Sequence, residues 1–338
     1  MITVNEKVLY FKSWLTSKYI NSANGYKYDF KSVLFIKNDE IGDLVTALPV
    51  FYNLNERYPN AAQTLVCKPF NTIFFKHIPF VKCHTNFDDV SGNTYDLIVE
   101  LRGSEETRKY SLSQKPKIRL DRGGVRLFNK FNGGQKNEID TNLQIIKPLF
   151  PNVSLSESNR IVVSSEEEHK VSKYIELAGI SHFVILHLGA RDRARRWPVK
   201  RFAETIKYIN TTYSLPCVLV GGPDDMEINE ECLELVTSKF NYNVVGEFDL
   251  LEYAALCDKA SLFVGNESGP LHIAAAMNTP NIALFGPGVK DVFYPKNDKS
   301  IVHHYFLARG HKTQTVENST IFSIQVNEVK ASIDKILS

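Results

Sequence analysis

Residues 262–276 have the sequence LFVGNESGPLHIAAA, in which a short apolar run leads through a glycine-containing turn into a segment rich in small residues. An apolar run of this length predicts a buried β-strand, and the segment after it has the period of an α-helix. Similar strand and helix patterns alternate along most of the 338-residue chain. Because such alternation is typical of parallel sheets covered on both faces, the sequence predicts an α/β protein.

The alternation falls into two series, separated by the polar stretch FPNVSLSESN at residues 150–159, which suits a linker. We therefore predict two Rossmann-like, doubly wound domains facing a central cleft, residues 31–160 and 161–338, after an N-terminal extension, residues 1–30. In one version of this prediction the C-terminal helix packs back on the first domain. The predicted strands are 33–36, 63–66, 96–99, 183–186, 216–220, 261–264 and 281–285, and helices are predicted from about residue 42 and at 198–209, 224–236 and 268–276.

Composition disfavours several classes of protein. The chain has 40 lysine and arginine residues against 38 aspartate and glutamate residues, and its net charge of +2 disfavours a nucleic-acid partner held by bulk charge. Its five cysteines are scattered without a CxxC pair, and the N-terminus lacks the pattern of a signal peptide, so we expect a cytoplasmic protein. Since no run of about 18 apolar residues is present, we expect any contact with a membrane to be peripheral.

Several motifs of cofactor and metal sites are also missing from the sequence. There is no GxGxxG after a predicted strand and no GxxxxGK[ST], which disfavours a nicotinamide enzyme and a P-loop nucleotidase. The histidines are scattered apart from His303 and His304, so we expect no metal site. Ligands of parallel α/β sheets bind outside the carboxyl ends of the strands, and this rule selects the residues that follow each strand.

The first predicted strand is followed by KNDEIGDLVTALP at residues 37–49. Gly42 permits a tight turn, and Asp43 is then expected at the carboxyl edge of the first sheet. Asp43 could cap the helix that begins there, because aspartate is a favoured N-cap residue. Its carboxylate could instead act as a general base that reaches a substrate hydroxyl. The spacing leaves both interpretations open, with Asp39 and Glu40 as the neighbouring carboxylates to exclude.

The strand at 183–186 is followed by HLGARDRARRWP at residues 187–198, a loop with four arginines. The loop could be a solvated, charged surface. It could equally form a phosphate clamp, because the planar guanidinium group matches the geometry of phosphate oxygens.

Two further turns could contact an anionic or sugar ligand. The amides near Ser268 and Gly269 would lie at a helix N-terminus, where the dipole favours a phosphate. Glu267 and His272 accompany them, although a helix histidine by itself is more often packed. In VLVGGPDD at 218–225, paired glycines allow a close approach of the backbone, and an acid could bind a ribose hydroxyl or cap the next helix.

Four motifs occur in the order IGDLVTALP (41–49), HLGARDRARRWP (187–198), VLVGGPDD (218–225) and VGNESGPLHIAAAMNTPNIALFGP (264–287). Together they resemble glycosyltransferase family 9, the lipopolysaccharide heptosyltransferases. The resemblance implies the GT-B fold and an inverting, metal-independent transfer of a sugar, typically heptose from ADP-heptose, to a lipopolysaccharide or lipooligosaccharide core acceptor. It implies no cofactor besides this nucleotide-sugar co-substrate.

The resemblance also assigns roles to individual residues. Asp43 matches the proposed catalytic base of the family, while Ser268, Gly269 and His272 match its D-[ST]-G-P-x-H motif directly. The implied donor-binding residues are Gly189, Arg195, Arg196, Gly222, Asp225, Glu267, Ser268, Gly269 and His272. Separately from the resemblance, we expect Gly42, Arg102 and Arg122 to contact the acceptor.

Two positions depart from the family pattern, and both fall on the donor-sugar side. Arg195 stands where the family has lysine, and Glu267 stands where it usually has aspartate, which changes the hydrogen-bond geometry and the length of the arm. A different nucleotide-sugar donor, or a non-hydrolysing nucleotide-sugar epimerase of GT-B form, therefore remains an alternative. A sugar-binding protein of the periplasmic type is disfavoured because a signal peptide is missing.

The segment at residues 108–130 is rich in lysine and arginine and contains one acid, Asp121. It could be a solvated surface. It could also attract an anionic glycolipid acceptor at the inner leaflet, where each basic residue contributes about 1 kcal/mol. We expect an anionic glycolipid and a nucleotide sugar as partners, and no nucleic acid.

Overall fold

The computed structural model describes residues 8, 11, 15, 28–132, 134, 136–238, 240–306, 315, 316 and 318–338. Nearly all of the expected N-terminal extension, residues 1–30, lies outside these residues. The strands are β1 (Ser32–Lys37), β2 (Ala62–Cys67), β3 (Val81–His84), β4 (Leu97–Glu100), β5 (Ile118–Asp121), β6 (Val184–His187), β7 (Cys217–Val220), β8 (Tyr242–Asn243), β9 (Leu262–Asn266), β10 (Asn281–Phe285) and β11 (Ser300–His304).

The helices alternate with these strands in both halves of the chain. They are α1 (Ile41–Val45), α2 (Leu48–Arg57), α3 (Glu105–Ser113), α4 (Arg122–Phe131), α5 (Glu138–Ile146), α6 (Ser165–Ala178), α7 (Val199–Tyr213), α8 (Met226–Val236), α9 (Leu250–Lys259), α10 (Gly269–Ala276), α11 (Lys290–Phe293) and α12 (Val326–Leu337). Two short 3₁₀ turns, Arg193–Arg195 and Pro223–Asp225, lie in the loops after β6 and β7.

The chain divides into two compact units, Met1–Asn159 and Arg160–Ser338. The first unit contains a five-stranded sheet in the order β3-β2-β1-β4-β5, and its neighbouring strands are parallel. The second unit contains a six-stranded parallel sheet in the order β11-β10-β9-β6-β7-β8. The prediction of an α/β protein with two doubly wound parallel sheets is confirmed.

The central strands are runs of apolar residues without polar alternation. Five successive residues of β1 are buried, as is every residue of β6, β9 and β10. Because successive side chains of a strand point to opposite faces, this pattern means that both faces of each sheet are covered. Each large aliphatic side chain buried in this way contributes about 1.5–3 kcal/mol, which explains why these segments could be recognised from the sequence.

Each sheet has one point at which the strand order reverses, and we call these two points the first and the second switch point. β2 and β4 lie on opposite sides of β1 in the first unit, and β7 and β9 lie on opposite sides of β6 in the second. The connections therefore leave in opposite directions and open a crevice outside the carboxyl ends of the two central strands, which is where ligands of such sheets bind. Residues 38–43 and 101–103 follow β1 and β4, and residues 188–197 and 267–269 follow β6 and β9.

Hydrogen bonds hold the C-terminal segment against the rest of the second unit. The indole Nε1 of the buried Trp197 donates to the carbonyl of Ile324 at 3.0 Å. On α7, the hydroxyls of Tyr208 and Tyr213 each donate to Oδ1 of Asp334 on α12 at 2.6 Å. Helix α12 therefore packs on α7, and its expected return onto the first domain stays a prediction.

Candidate functional site

Asp43 follows β1 at the switch point of the first sheet and lies in the first turn of α1. That helix begins at Ile41, and Glu40 occupies its N-cap position without a side-chain hydrogen bond to the helix. The interpretation of Asp43 as the N-cap residue is therefore wrong, because the helix has already begun when the chain reaches it. Gly42 precedes Asp43 in the same turn, and both residues are partly exposed.

The other two carboxylates of this loop are engaged in ion pairs. Asp39 is buried between two cations: its Oδ2 lies 2.7 Å from Nζ of Lys37, and its Oδ1 lies 2.6 Å from Nε of Arg102. Glu40 pairs with a lysine that follows β2. Since Asp39 and Glu40 hold the loop in place, Asp43 is the better candidate for a general base.

Arg122 begins α4 and makes a two-pronged ion pair with Glu138 of α5, in which Nη2 and Oε2 are 2.8 Å apart. Burial lowers the pKa of Arg122, but the negative charges of Glu138, Asp39 and Asp43 outweigh it and leave this pKa raised. The geometry argues against the expected contact between Arg122 and an acceptor, because its guanidinium is buried and committed to Glu138. Arg102 keeps 47% of its side chain exposed.

The loop that carries Arg102 is held by a buried carboxylate. Oε1 of Glu100 accepts hydrogen bonds from the amides of Arg102 at 3.0 Å and Gly103 at 2.6 Å, and from the hydroxyl of Thr107 at 2.7 Å. Burial raises the pKa of the Glu100 carboxyl, and these hydrogen bonds lower it only in part. Gly103 has a φ of +76°, a conformation that favours glycine.

At least half of the basic side chains in the segment at residues 108–130 are paired with acids of the first unit. Four of its basic side chains form ion pairs with acids of the same unit. These pairs are Lys109 with Glu105, Lys117 with Asp96, Arg119 with Asp121, and Arg122 with Glu138. The pairs give the segment a structural role, and its expected attraction to a glycolipid stays a prediction.

In the second unit, Asn266 at the end of β9 fixes the loop after β6. Its Nδ2 donates to the carbonyl of Leu188 at 2.7 Å, and its Oδ1 accepts from the amide of Trp197 at 3.0 Å. One buried side chain thus holds both ends of the arginine-rich loop against the switch point.

Arg195 and Glu267 meet at this switch point, where Nη1 of Arg195 lies 2.7 Å from Oε2 of Glu267. The Glu267 side chain is 6% exposed, whereas that of Arg195 is 36% exposed. Arg196 donates from Nε to the carbonyl of Ala190 at 2.7 Å. The loop is therefore neither a fully solvated surface nor a bare cluster of charges, because Arg195 and Arg196 are held by hydrogen bonds.

Ser268, His187 and Asp225 form a chain of side chains along the same edge. Oγ of Ser268 lies 3.1 Å from Nδ1 of His187, and Nε2 of His187 lies 3.5 Å from Oδ2 of Asp225. Burial raises the pKa of Asp225, but its contact with His187 and its hydrogen bond from the amide of Gly222 at 3.0 Å outweigh burial and lower this pKa.

Two glycines make room for Asp225. A Cβ atom at Gly189 would lie 2.0 Å from Oδ1 of Asp225, and one at Gly221 would lie 2.6 Å from its Cβ. Asp225 is therefore packed against the backbone and turned toward His187. The geometry argues against the expected contact of Asp225 with a ribose, and assigns Gly189 a packing role.

The remaining expected donor residues lie on or beside α10. Gly269 is its first residue and Ser268 is its N-cap residue, which makes no side-chain hydrogen bond to the helix. His272 is buried within α10, and Gly222 is exposed at the start of a 3₁₀ turn. The structure thus brings Arg195, Arg196, Glu267, Ser268 and Gly269 to one edge of the second sheet.

The protein family of the chain follows from a match over more than half of its length. The family described as glycosyltransferase family 9 (heptosyltransferase) matches residues 132–321, which is more than half of the chain. The chain belongs to glycosyltransferase family 9. It is therefore a glycosyltransferase, of the heptosyltransferase family that builds the lipopolysaccharide core.

Individual members of family 9 resemble the chain over most of its length. It is 23% identical over 336 residues to lipopolysaccharide heptosyltransferase 3 of Escherichia coli, covering 88% of this chain and 96% of the relative. Among solved structures, a family 9 glycosyltransferase from Veillonella parvula gives a TM-score of 0.78 at 18% identity, covering 93% of this chain and 99% of that one. The ADP-heptose lipopolysaccharide heptosyltransferase II of E. coli gives 0.70 at 21% identity, covering 90% and 98%. These structures confirm the GT-B fold class.

Within the described ranges, no group of three or more histidine, cysteine, aspartate or glutamate side chains is arranged to hold a metal ion. No helix in the same part of the chain has the length and apolar character needed to cross a bilayer.

The sequence patterns did not reveal the buried partners of the candidate residues. His187 contacts Ser268, and Glu138 contacts Arg122. His187 opens the arginine-rich motif at 187–198, but the motif did not select it as a site residue. His187 offered one signal, since it is a polar residue at the carboxyl end of a predicted central strand. Glu138 offered none, because it lies 16 positions from Arg122 in a different helix.

Proposed function

We propose that this family 9 enzyme is an inverting, metal-independent transferase that moves heptose from ADP-heptose to a lipopolysaccharide or lipooligosaccharide core acceptor. The observation that carries the proposal is the second switch point, where Arg195 lies at the edge that also holds the uncapped N-terminus of α10. A cation and a helix N-terminus whose N-cap side chain makes no hydrogen bond to the helix, at one edge, suit a nucleoside diphosphate. The name of the E. coli neighbour, an ADP-heptose heptosyltransferase, supports adenine as the base.

In the proposed reaction, Asp43 accepts the proton of an acceptor hydroxyl as its oxygen attacks the anomeric carbon of the donor sugar. A carbon–oxygen bond forms on one face of the ring, and the bond to the diphosphate breaks on the opposite face. ADP leaves with the bonding electron pair, so a single displacement inverts the anomeric configuration. The partial exposure of Asp43 and the burial of Asp39 support this assignment.

Negative charge develops on the diphosphate as this bond breaks. Arg195 and Arg196, together with the amides at the start of α10, would stabilise that charge without a metal ion. Ser268 and Gly269 would place these amides, and Glu267 would face the sugar. His272 and Gly222 would also contact the nucleotide-sugar donor.

On the acceptor side, Arg102 is the favoured contact. Nearly half of its side chain is exposed, and Asp39 fixes its Nε, so its remaining N–H groups can reach an anionic group of the acceptor. Gly42 allows a close approach of the acceptor hydroxyl beside Asp43. We propose an anionic glycolipid on a membrane surface as the acceptor and the cytoplasm as the compartment of the reaction.

The proposal is tested by incubating the purified enzyme with ADP-heptose and a heptose-deficient core acceptor in the presence of EDTA. Mass spectrometry should show the acceptor gaining one heptose, and NMR should show that the anomeric configuration is inverted. Parallel reactions with UDP- and GDP-sugars should give no product. Transfer that stops in EDTA, or a retained configuration, would contradict the mechanism.

A different donor or an epimerase activity stays a second candidate because Glu267 replaces the usual aspartate. Incubation of each nucleotide sugar without acceptor separates sugar transfer from epimerisation. An epimerised sugar in that reaction, without transfer when acceptor is added, would favour the epimerase.

A further inference from the structure

We propose that Gly288 is a positioning residue for donor recognition: the space at Gly288 lets the Glu267 carboxylate rest on Arg195, and this arrangement sets the affinity for the donor sugar. The three residues would thereby act on the sugar of a nucleoside-diphosphate sugar and not on its nucleotide. This inference rests on the proposed function, because it places the donor at the second switch point.

The first support is the ion pair itself. Oε2 of Glu267 lies 2.7 Å from Nη1 of Arg195, and 6% of the Glu267 side chain is exposed. A carboxylate this deeply buried needs a cation, since an isolated buried charge is costly.

The second support is the space above Gly288, which lies in the loop after β10. A Cβ atom at Gly288 would be 2.5 Å from Oε2 of Glu267 and 3.2 Å from its Cδ. The φ of Gly288 lies outside the left-handed region, so the backbone does not require glycine there. Glycine is therefore needed for space, and the space it leaves is filled by the Glu267 carboxylate.

The loop itself is fixed against the arginine turn. A Cβ atom at Gly286 would lie 3.0 Å from the carbonyl of Ala194, and this carbonyl also accepts a hydrogen bond from Ser319. Gly288 consequently cannot retreat far from Glu267. A side chain at position 288 would move the carboxylate and not the loop.

Arg195 links this carboxylate to the proposed leaving group. Its Nη1 is occupied by Glu267, whereas its buried Nε has no hydrogen-bond partner among the described residues. A guanidinium held at one nitrogen by a carboxylate presents its remaining N–H groups in a fixed direction. Arg195 thus fixes the Glu267 carboxylate beside the proposed diphosphate position, where sugar hydroxyls can donate to it.

A shorter side chain at position 267 and a longer one at position 288 should both disturb the contact between Glu267 and Arg195. Aspartate at 267 is one methylene shorter and would leave the space at Gly288 and lose the contact with Arg195. Alanine at 288 would push the Glu267 carboxylate off the same contact. Because both changes break one arrangement, their effects should not add.

The test is a double-mutant cycle with E267D, G288A and the combined variant. Calorimetry measures the Kd for ADP and for ADP-heptose, and steady-state assays separate KM from kcat. Each single variant should raise the KM for ADP-heptose at least fivefold and change the Kd for ADP less than twofold. In the E267D background, G288A should add less than twofold.

Matched controls separate this role from a general structural one. E230D makes the same substitution at an exposed site on α8 and should leave every constant unchanged. E267Q keeps the length of the side chain but removes its charge, and should also raise the KM for ADP-heptose. Thermal melting confirms that each variant is folded, and E267Q replaces any variant that does not fold.

Independent effects of E267D and G288A, or equal losses of ADP and ADP-heptose affinity, would overturn the inference. If the wild-type enzyme binds ADP-heptose and the variants bind it with the same KM and Kd, the inference is also overturned. The proposed function would then remain intact. A wild-type enzyme that binds ADP but not ADP-heptose would instead contradict the proposed donor.

Discussion

Nδ1 of His187 lies 3.1 Å from the hydroxyl oxygen of Ser268, and this contact holds the side chain at the N-cap position of α10 away from the helix. The Ser268 hydroxyl also donates to the carbonyl of Asn266 at 3.0 Å. Serine at an N-cap position ordinarily accepts a hydrogen bond from the amides of its own helix. Pro270 has no N–H, so Leu271 is the residue whose amide Ser268 could cap, and His187 and Asn266 hold the Ser268 hydroxyl away from it. We expect the helix N-terminus to stay open to an anionic ligand for this reason.

His187→Ala is predicted to release Ser268 and let it cap α10, in competition with the nucleotide. A cap of this kind is worth about 1 kcal/mol, so the affinity for ADP should fall about fivefold. Calorimetry with ADP measures the change. In a Ser268→Ala background no hydroxyl remains to compete, and the same substitution should have no further effect. An equal loss in both backgrounds would show that His187 acts in another way.

Glu100→Gln is predicted to increase stability at neutral pH. The folded-state pKa of Glu100 is raised above its usual value of 4.5 because the carboxyl is buried. Its stabilising contribution is therefore complete below about pH 4.5 and is lost as the pH rises through the folded-state pKa. Glutamine can accept the same hydrogen bonds without a charge, so urea unfolding should show a gain over wild type that is larger at pH 7 than at pH 4. A gain that is independent of pH would contradict this reasoning.

Arg122→Ala is predicted to destabilise the fold far more than Arg102→Ala. Loss of Arg122 leaves the buried Glu138 without its cation, which costs about 3–5 kcal/mol. Arg102 is half exposed, and its partner Asp39 keeps Lys37, so its loss should cost about 1 kcal/mol. Denaturant unfolding of both variants checks this order. Similar losses would show that Arg122 is not the structural residue of the pair.

The sequence predicted the central strands well because they are buried on both faces. The apolar pattern placed β10 at 281–285, as the structure does, and other central strands within two residues. It missed β3, β5, β8 and β11, which are the edge strands of the two sheets. Edge strands need less apolar cover, and β5 reads IRLD with two charged residues in four.

The sequence predicted which individual residues lie at the edges of the sheets, but it did not predict which of them pair with each other. The rule that ligands bind at the carboxyl ends of strands selected Asp43, Arg195 and Glu267 correctly as edge residues. It could not predict that Arg195 and Glu267 pair across 72 positions, or that Asp225 turns inward to His187. Such pairs depend on tertiary packing, which leaves no periodic signal in one sequence.

The most direct test of the proposed mechanism compares transfer and donor binding in Asp43→Asn. If Asp43 is the general base, the variant should lose at least a hundredfold in kcat with ADP-heptose and a core acceptor, because general bases contribute about 10²–10⁴-fold. Its Kd for ADP-heptose, measured by calorimetry, should stay within twofold of wild type, because the proposed donor residues belong to the second unit. Asp88→Asn, at an exposed site in the first unit, is the matched control and should behave like wild type. Retained turnover in a folded Asp43→Asn enzyme would contradict the account.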